Sequence, residues 1–266
     1  MTQRADVLLV QNGLAQSRQQ AQGLIMAGRV YVDEVMVRKA SEALSPGANL
    51  SVRGEQNAYA SRGAHKLLKA LDFFRADVTD MVCLDIGAAA GGFTDVLLRA
   101  GARHVYAVDV GYGQLDWRLR QDERVTVMER TNARLLTAEQ FDAMPALTVM
   151  DVSFISIKLI LPAAAAIMGV DGRFLTLVKP QFEAGRGQVG KHGVVREADT
   201  HARVLREVRD FCPGMGWSVH GFTHSPITGP KGNMEFLADI RPGAAGTVSD
   251  ADIDAAVTAA HDELKQ

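Results

Sequence analysis

From residue 82 onward, short apolar runs alternate with segments whose apolar positions recur at helical spacing. The runs at 82–86, 104–109, 125–128, 147–151 and 173–178 read as strands, followed by two more at 217–223 and 235–238. Helical spacing covers 92–99, 155–168 and 199–211, and an acidic helix is expected over 250–266. A further helix, HKLLKALDFF, precedes the first strand. Alternation of this kind predicts an α/β fold with a mainly parallel sheet wrapped by helices.

The first fifty residues follow a different pattern. In LAQSRQQAQGLIMAG, Ser17 and Gln20 have capping-box spacing. Ala21, Leu24 and Ile25 then share one helical face, and Gly28 suits the position just past the helix end. A shorter helix is expected over 7–11, stopping near Gly13. RVYVDEVMVRK predicts two strands around Asp33 and Glu34, and ALSPGANLSV a turn at Pro46-Gly47 with one more strand. The expected organisation is a small α+β head over 1–54, a polar linker over 55–65 and the α/β body over 66–266.

Composition narrows the function classes. With 47% apolar and 23% charged residues the chain reads as soluble and globular. Its two cysteines, Cys83 and Cys212, form neither a disulfide framework nor a metal-ligand spacing, which fits a reducing cytoplasm. The N-terminal stretch lacks the apolar core of a signal peptide, and the longest uncharged apolar run, 159–170, is too short to cross a bilayer. The net charge is −2, but residues 1–66 carry eight Lys/Arg against five Asp/Glu. A polyanion would therefore be gripped by local patches.

The stretch CLDIGAAAGGFTD, residues 83–95, ends a strand and opens a helix. Glycines there let a main chain approach a ligand closely, and ligands in open parallel sheets sit beyond the carboxyl ends of strands. The spacing Asp85-x-Gly87-x-x-x-Gly91 departs from the dinucleotide fingerprint and suits S-adenosylmethionine, which has no pyrophosphate to wrap. The next strand ends in Asp109, a carboxylate able to accept both hydroxyls of a ribose. An ordinary tight turn that binds nothing is the alternative. The glycines of GRGQVGKH, 185–192, form neither a P-loop nor a Rossmann turn, because PQFEA separates them from the preceding strand. That segment reads as a mobile loop near the site, with Arg186 and Lys191 able to meet a phosphate.

Two later strand ends carry Asp151 and Lys179. A partly buried lysine can serve as a base, although a nearby carboxylate favours its charged form. Asp-Val-Ser-Phe stands where an amino-group methyltransferase would carry an Asn/Asp-Pro-Pro-aromatic loop. Cys212, at a helix end, reads as a small core residue rather than the nucleophile that pyrimidine carbon methylation needs. A hydroxyl acceptor activated by lysine fits the chemistry best.

The stretches SRGAHKL, LDIGAAAGGFTD, VYAVDVGYGQL, ERTNAR, MDVSFIS, LVKPQFEAGR and GNMEF resemble the TlyA-type ribosomal RNA 2′-O-methyltransferases, often labelled haemolysin A. The head resembles the RNA-binding domain named after ribosomal small-subunit protein four, and the body an FtsJ-like, Rossmann-like methyltransferase. The resemblance implies a catalytic tetrad of Lys66, Asp151, Lys179 and Glu235, with Lys179 activating a ribose 2′-hydroxyl, cytidine being the family's usual target. Cofactor contacts are expected from Asp85, Gly87, Ala88, Gly91, Gly92, Asp109, Asn132 and Asp151, and RNA contacts from Arg4, Arg18, Lys39, Arg62 and Arg186. Ala89-Ala90 departs from the Ser-Thr of close relatives. The expected partner is ribosomal RNA or a ribosomal subunit. The competing readings are a membrane-active haemolysin, for which the sequence offers no inserting segment, and a non-catalytic RNA-binding protein.

Overall fold

A computed structural model describes residues 2–15, 17–26, 28–53, 59–169, 171–243 and 248–264; the side chains of Arg186 and Lys191 lie outside that description. Two compact units divide the chain, Met1–Ala58 and Tyr59–Gln266.

In the first unit β1 (Gln3–Arg4) leads into α1 (Ala5–Gln11) and α2 (Arg18–Met26). Four short strands follow: β2 (Val30–Val32), β3 (Val35–Met36), β4 (Ala43–Leu44) and β5 (Leu50–Val52). The Ser17 hydroxyl accepts from the Gln20 N–H, as the capping spacing predicts. Ala5, Leu8, Leu9, Ala21 and Ile25 bury the inner faces of the two helices. β2 pairs with β3 and β5, and its turn holds Asp33 and Glu34 both at positive φ, +45° and +74°. β4 pairs with β1, a contact too short to show in the sequence pattern.

The second unit opens with α3 (Ala64–Phe73) and continues through β6 (Val82–Ile86), α4 (Gly92–Arg99), β7 (His104–Val108), α5 (Trp117–Arg120) and β8 (Val125–Met128). After these come β9 (Leu147–Met150), α6 (Leu161–Ala166), β10 (Arg173–Val178), α7 (Pro180–Glu183), α8 (Ala198–Phe211), β11 (Trp217–His224), β12 (Phe236–Pro242) and α9 (Asp250–Leu264). The sheet order is β11-β12-β10-β9-β6-β7-β8. The pairs among β6 to β10 are parallel, while β12 runs antiparallel to both its neighbours. The pleat divides each strand between two cores. Val82, Leu84 and Ile86 join the core under α6, α8 and α9, whereas Cys83 packs under α3 and α4. The helix expected over 155–168 begins later, as a 3₁₀ turn at Ile157–Leu159 followed by α6, with Pro162 in the first turn of that helix.

Residues 55–58 of the expected linker lie outside the described residues. Residues 59–65, also expected there, pack on the body instead: the Ala60 N–H donates to Asp95 and the Arg99 guanidinium lies over the Tyr59 ring.

Candidate active site

β6 is the point where the strand order reverses: the chain runs outward through β7 and β8, then returns to β9 on its other side. A crevice opens at such a switch point, beyond the carboxyl ends of the strands. β9 and β10 are parallel neighbours with Thr176 opposite Met150, so Asp151 and Lys179 emerge at one edge. β12 runs the other way with Phe236 opposite Val178, which brings the residue before it, Glu235, to that same edge. Lys66 arrives from the first turn of α3.

These four side chains meet. Lys66 Nζ lies 2.7 Å from Glu235 Oε2 and 3.2 Å from Asp151 Oδ2. Lys179 Nζ is 2.5 Å from Asp151 Oδ1, an ion-pair contact off the hydrogen-bond direction, and donates to Ser153 Oγ at 3.1 Å. Lys66, Lys179 and Glu235 are all buried. Burial is the largest single influence on the Lys66 ammonium and favours its neutral form. The attraction of Asp151 and Glu235 outweighs it and raises the pKa, so Lys66 keeps its charge.

A cavity of about 580 Å³ opens over the four groups, with Gly87, Ala88, Ala89 and Gly92 on one side. The corner they form is narrow. Gly87 has φ +84°, and a Cβ there would lie 2.7 Å from the Asp151 carbonyl oxygen. Gly91 has φ +91° and caps α4, where a side chain would collide with Leu119. Ala89 holds φ +47° without being glycine, and its N–H donates to Asp109 Oδ2 at 2.8 Å. Asp109 Oδ1 accepts from Gly111 N at 2.7 Å, so this carboxylate ties the turn after β6 to the turn after β7.

Asp85 does not line the cavity. Pleat parity sends it into the layer beneath α4, where Thr94 Oγ1 donates to Oδ2 at 2.7 Å. It is fully buried, Oδ1 has no partner among the described residues, and burial pushes its carboxyl up to about 7. Asp109 and Asn132 also lie outside the cavity lining; the Asn132 side chain accepts from Arg134 N and caps a 3₁₀ turn. Cys212 is buried with its thiol pushed up to about 12 by burial.

Of the expected RNA contacts, Arg62 is exposed at the cavity and its guanidinium donates to the Thr228 carbonyl. Arg186 falls outside the described side chains, though Val189 and Gly193 of its loop line the cavity. In the head unit Lys39 is exposed, while Arg4 and Arg18 both reach the buried Asp6 carboxylate. Those two guanidinium groups therefore support the head's own core as well as facing solvent. Sequence reasoning missed Ser153, Phe154, Gln181 and Lys231, which also line the cavity. Phe154 is 91% exposed at φ +65°, its ring 5.2 Å from that of Phe182. An apolar residue after a strand carries no sequence signal of that placement.

Residues 59–240 match the FtsJ-like methyltransferase family and residues 3–50 the S4 domain. The chain belongs to the FtsJ-like methyltransferase family, with an S4 domain ahead of the methyltransferase body. It is 50% identical over 236 residues to "Putative rRNA methyltransferase YqxC" of Bacillus subtilis, covering 88% of this chain and 84% of that protein. It is 48% identical over 239 residues to "16S/23S rRNA (cytidine-2'-O)-methyltransferase TlyA" of Mycobacterium tuberculosis, covering 90% and 89%. A solved structure, "Putative hemolysin from Streptococcus thermophilus", superposes with a TM-score of 0.77 at 45% identity, over 98% of this chain and 96% of that one.

Proposed function

We propose that the protein transfers a methyl group from S-adenosylmethionine to the ribose 2′-hydroxyl of a cytidine in ribosomal RNA. The observation that carries this reading is the meeting of Lys66, Asp151, Lys179 and Glu235 beside the glycine corner, in one cavity. The corner suits the cofactor: left-handed backbone at 87, 89 and 91, a gap that a Cβ at Gly87 would fill, and an orphaned buried oxygen on Asp85 beneath it. Main-chain groups of residues 87–92 would hold its amino-acid end, Asp109 its ribose and the Asn132 turn its base. The cofactor supplies an electrophilic methyl carbon on a sulfonium.

The protein's own residues divide the remaining work. Lys66 faces two carboxylates and stays charged, so it donates a hydrogen bond to the ribose. Lys179 faces Asp151 alone among the carboxylates of the site. Held between Asp151 and Ser153 at the cavity, Lys179 is the general base that takes the 2′-hydroxyl proton. Asp151 and Glu235 fix both lysines in place. Holding the hydroxyl oxygen in line supplies a large share of the rate, on the order of 7–11 kcal/mol for well-oriented reactants. Phe154 and Phe182 flank the cavity as aromatic surfaces on which an extruded base can stack.

Among the described residues no helix is long and apolar enough to cross a membrane. The reading puts the protein in the cytoplasm with ribosomal RNA or ribosomal subunits as partner. Incubation with labelled S-adenosylmethionine and purified subunits, then nucleoside mass spectrometry, should show 2′-O-methylcytidine. Label on bases or protein, with none on ribose, would sink the reading.

A further inference from the structure

Two segments carry two of the four charged groups and two of the aromatic rings of the cavity. One follows β9 and holds Asp151, Ser153 and Phe154; the other follows β10 and holds Lys179, Gln181 and Phe182. The first has no regular structure from Asp151 to Ser156, and Phe154 within it sits at positive φ. What fixes its far end is a side chain of the second segment, Glu183, at the end of α7.

The Glu183 side chain is 1% exposed. Its Oε2 accepts from Ser156 Oγ at 2.6 Å and its Oε1 from the Ile157 N–H at 2.8 Å. Ser156 Oγ in turn accepts from the Lys158 N–H at 3.2 Å, and the Lys158 ammonium lies 3.8 Å from Glu183 Oε2. The carboxylate is therefore engaged in holding the start of the 3₁₀ turn, with each oxygen already accepting. Glu183 does not line the cavity.

We propose that Glu183 is a positioning residue for methyl transfer: by stapling the Asp151 segment to the Lys179 segment, it sets where Asp151 and Ser153 stand against Lys179. The proposal rests on the ribose methyltransferase reading. Glutamine in its place keeps the shape but removes the charge: its Oε1 can still accept from the Ile157 N–H, while its N–H₂ can only donate to Ser156 Oγ. The staple is then weakened from two charge-assisted bonds to two neutral ones. The glycine corner is held by separate bonds, Gly87 and Ala88 N–H to the Val108 carbonyl and Ala89 N–H to Asp109, and does not depend on the staple.

The test uses the full-length protein, with Glu183→Gln and the milder Ser156→Ala. Expected for Glu183→Gln is a fall in kcat on the order of 10–100-fold, the scale of a small misplacement of reacting groups. Affinity for S-adenosylmethionine by calorimetry should stay within about twofold, because that binding lies at the other wall. The kcat loss of the double variant should fall short of the product of the two single losses, because both changes act on the shared Glu183–Ser156 bond. Hydrogen exchange without RNA should speed up across 151–158 and stay slow across 86–94. A wild-type kcat in Glu183→Gln, a loss matched by the unfolded fraction, or unchanged exchange across 151–158 would each overturn the proposal. Failure of the ribose reading itself appears separately, as absent ribose methylation by the unaltered protein, and the exchange measurement still decides whether the staple exists.

Discussion

Lys66 and Lys179 stand in different company. Lys66 faces two carboxylates, whose attraction raises its pKa, whereas Lys179 shares one of them and donates to Ser153, the placement that makes it the candidate base. Lys179→Ala should lower kcat by about 10²–10⁴-fold, the usual worth of a positioned base. Cofactor affinity by calorimetry should be kept; its loss would give Lys179 a different role. Gly87 makes a second prediction. Its φ of +84° and the 2.7 Å approach of the Asp151 carbonyl leave no room for a methyl group. Gly87→Ala should cost about 1–3 kcal/mol in a denaturant titration, and also weaken cofactor binding. The glycine was visible in the sequence as part of a bend. That Asp151 is the atom group pressed against it was not, because 64 residues separate them and only the pairing of β6 with β9 brings them together.

At the scale of elements, two buried polar groups make stability depend on pH. Asp6 links α1 to β1 and α2: it accepts from Arg4, Arg18 and Gln22, and the Arg4 hydrogen bonds above all hold its carboxyl well below the usual carboxylate range. A carboxyl with a depressed folded pKa stabilises above its unfolded pKa and loses that contribution as pH falls through the acid range. Its arginine partners are half exposed, so Asp6→Ala should cost the head only about 1–3 kcal/mol. His201 lies between α8 and α9, near His261 and the Val195 carbonyl. Burial, then the neighbouring His261, lowers its pKa from 6.5 to about 4. The unfolded chain binds this proton more readily than the folded one, so the body loses stability as pH falls from about 6.5 to about 4. Denaturant midpoints across that window check this, and His201→Phe should flatten the slope. The helix patterns of α8 and α9 were legible from their spacing. Their meeting at two histidines was not, because nothing in a single helix pattern states its partner.

At the scale of the molecule, 31 acidic residues face 29 Lys/Arg, so overall charge cannot draw the protein to RNA. Binding must depend on particular cations, and affinity for ribosomal RNA should fall steeply with salt. Arg62, exposed at the cavity, should contribute one phosphate contact. Arg62→Ala is expected to weaken binding to all sequences alike and to reduce the log–log salt slope by about one. An unchanged slope in filter-binding or anisotropy titrations would remove Arg62 from the interface. The S4 domain match and the basic balance of residues 1–66 support the proposal that the head supplies a second source of grip.

The chain's local pattern decided which segments are strands and helices, since apolar period and turn residues act within a few positions of one another. Shared motifs carried the family, and through it the four charged residues. Tertiary structure decided what those residues can do. β12 had to turn against its neighbours before Glu235 could reach the carboxyl edge, a reversal that no alternation of apolar and polar positions encodes. Parity sank Asp85 beneath α4, and packing of α7 against the segment after β9 made Glu183 a fastening between two walls. Local pattern is set by neighbours along the chain, whereas the partner of a charge is set by strand order and direction, which only the folded sheet fixes.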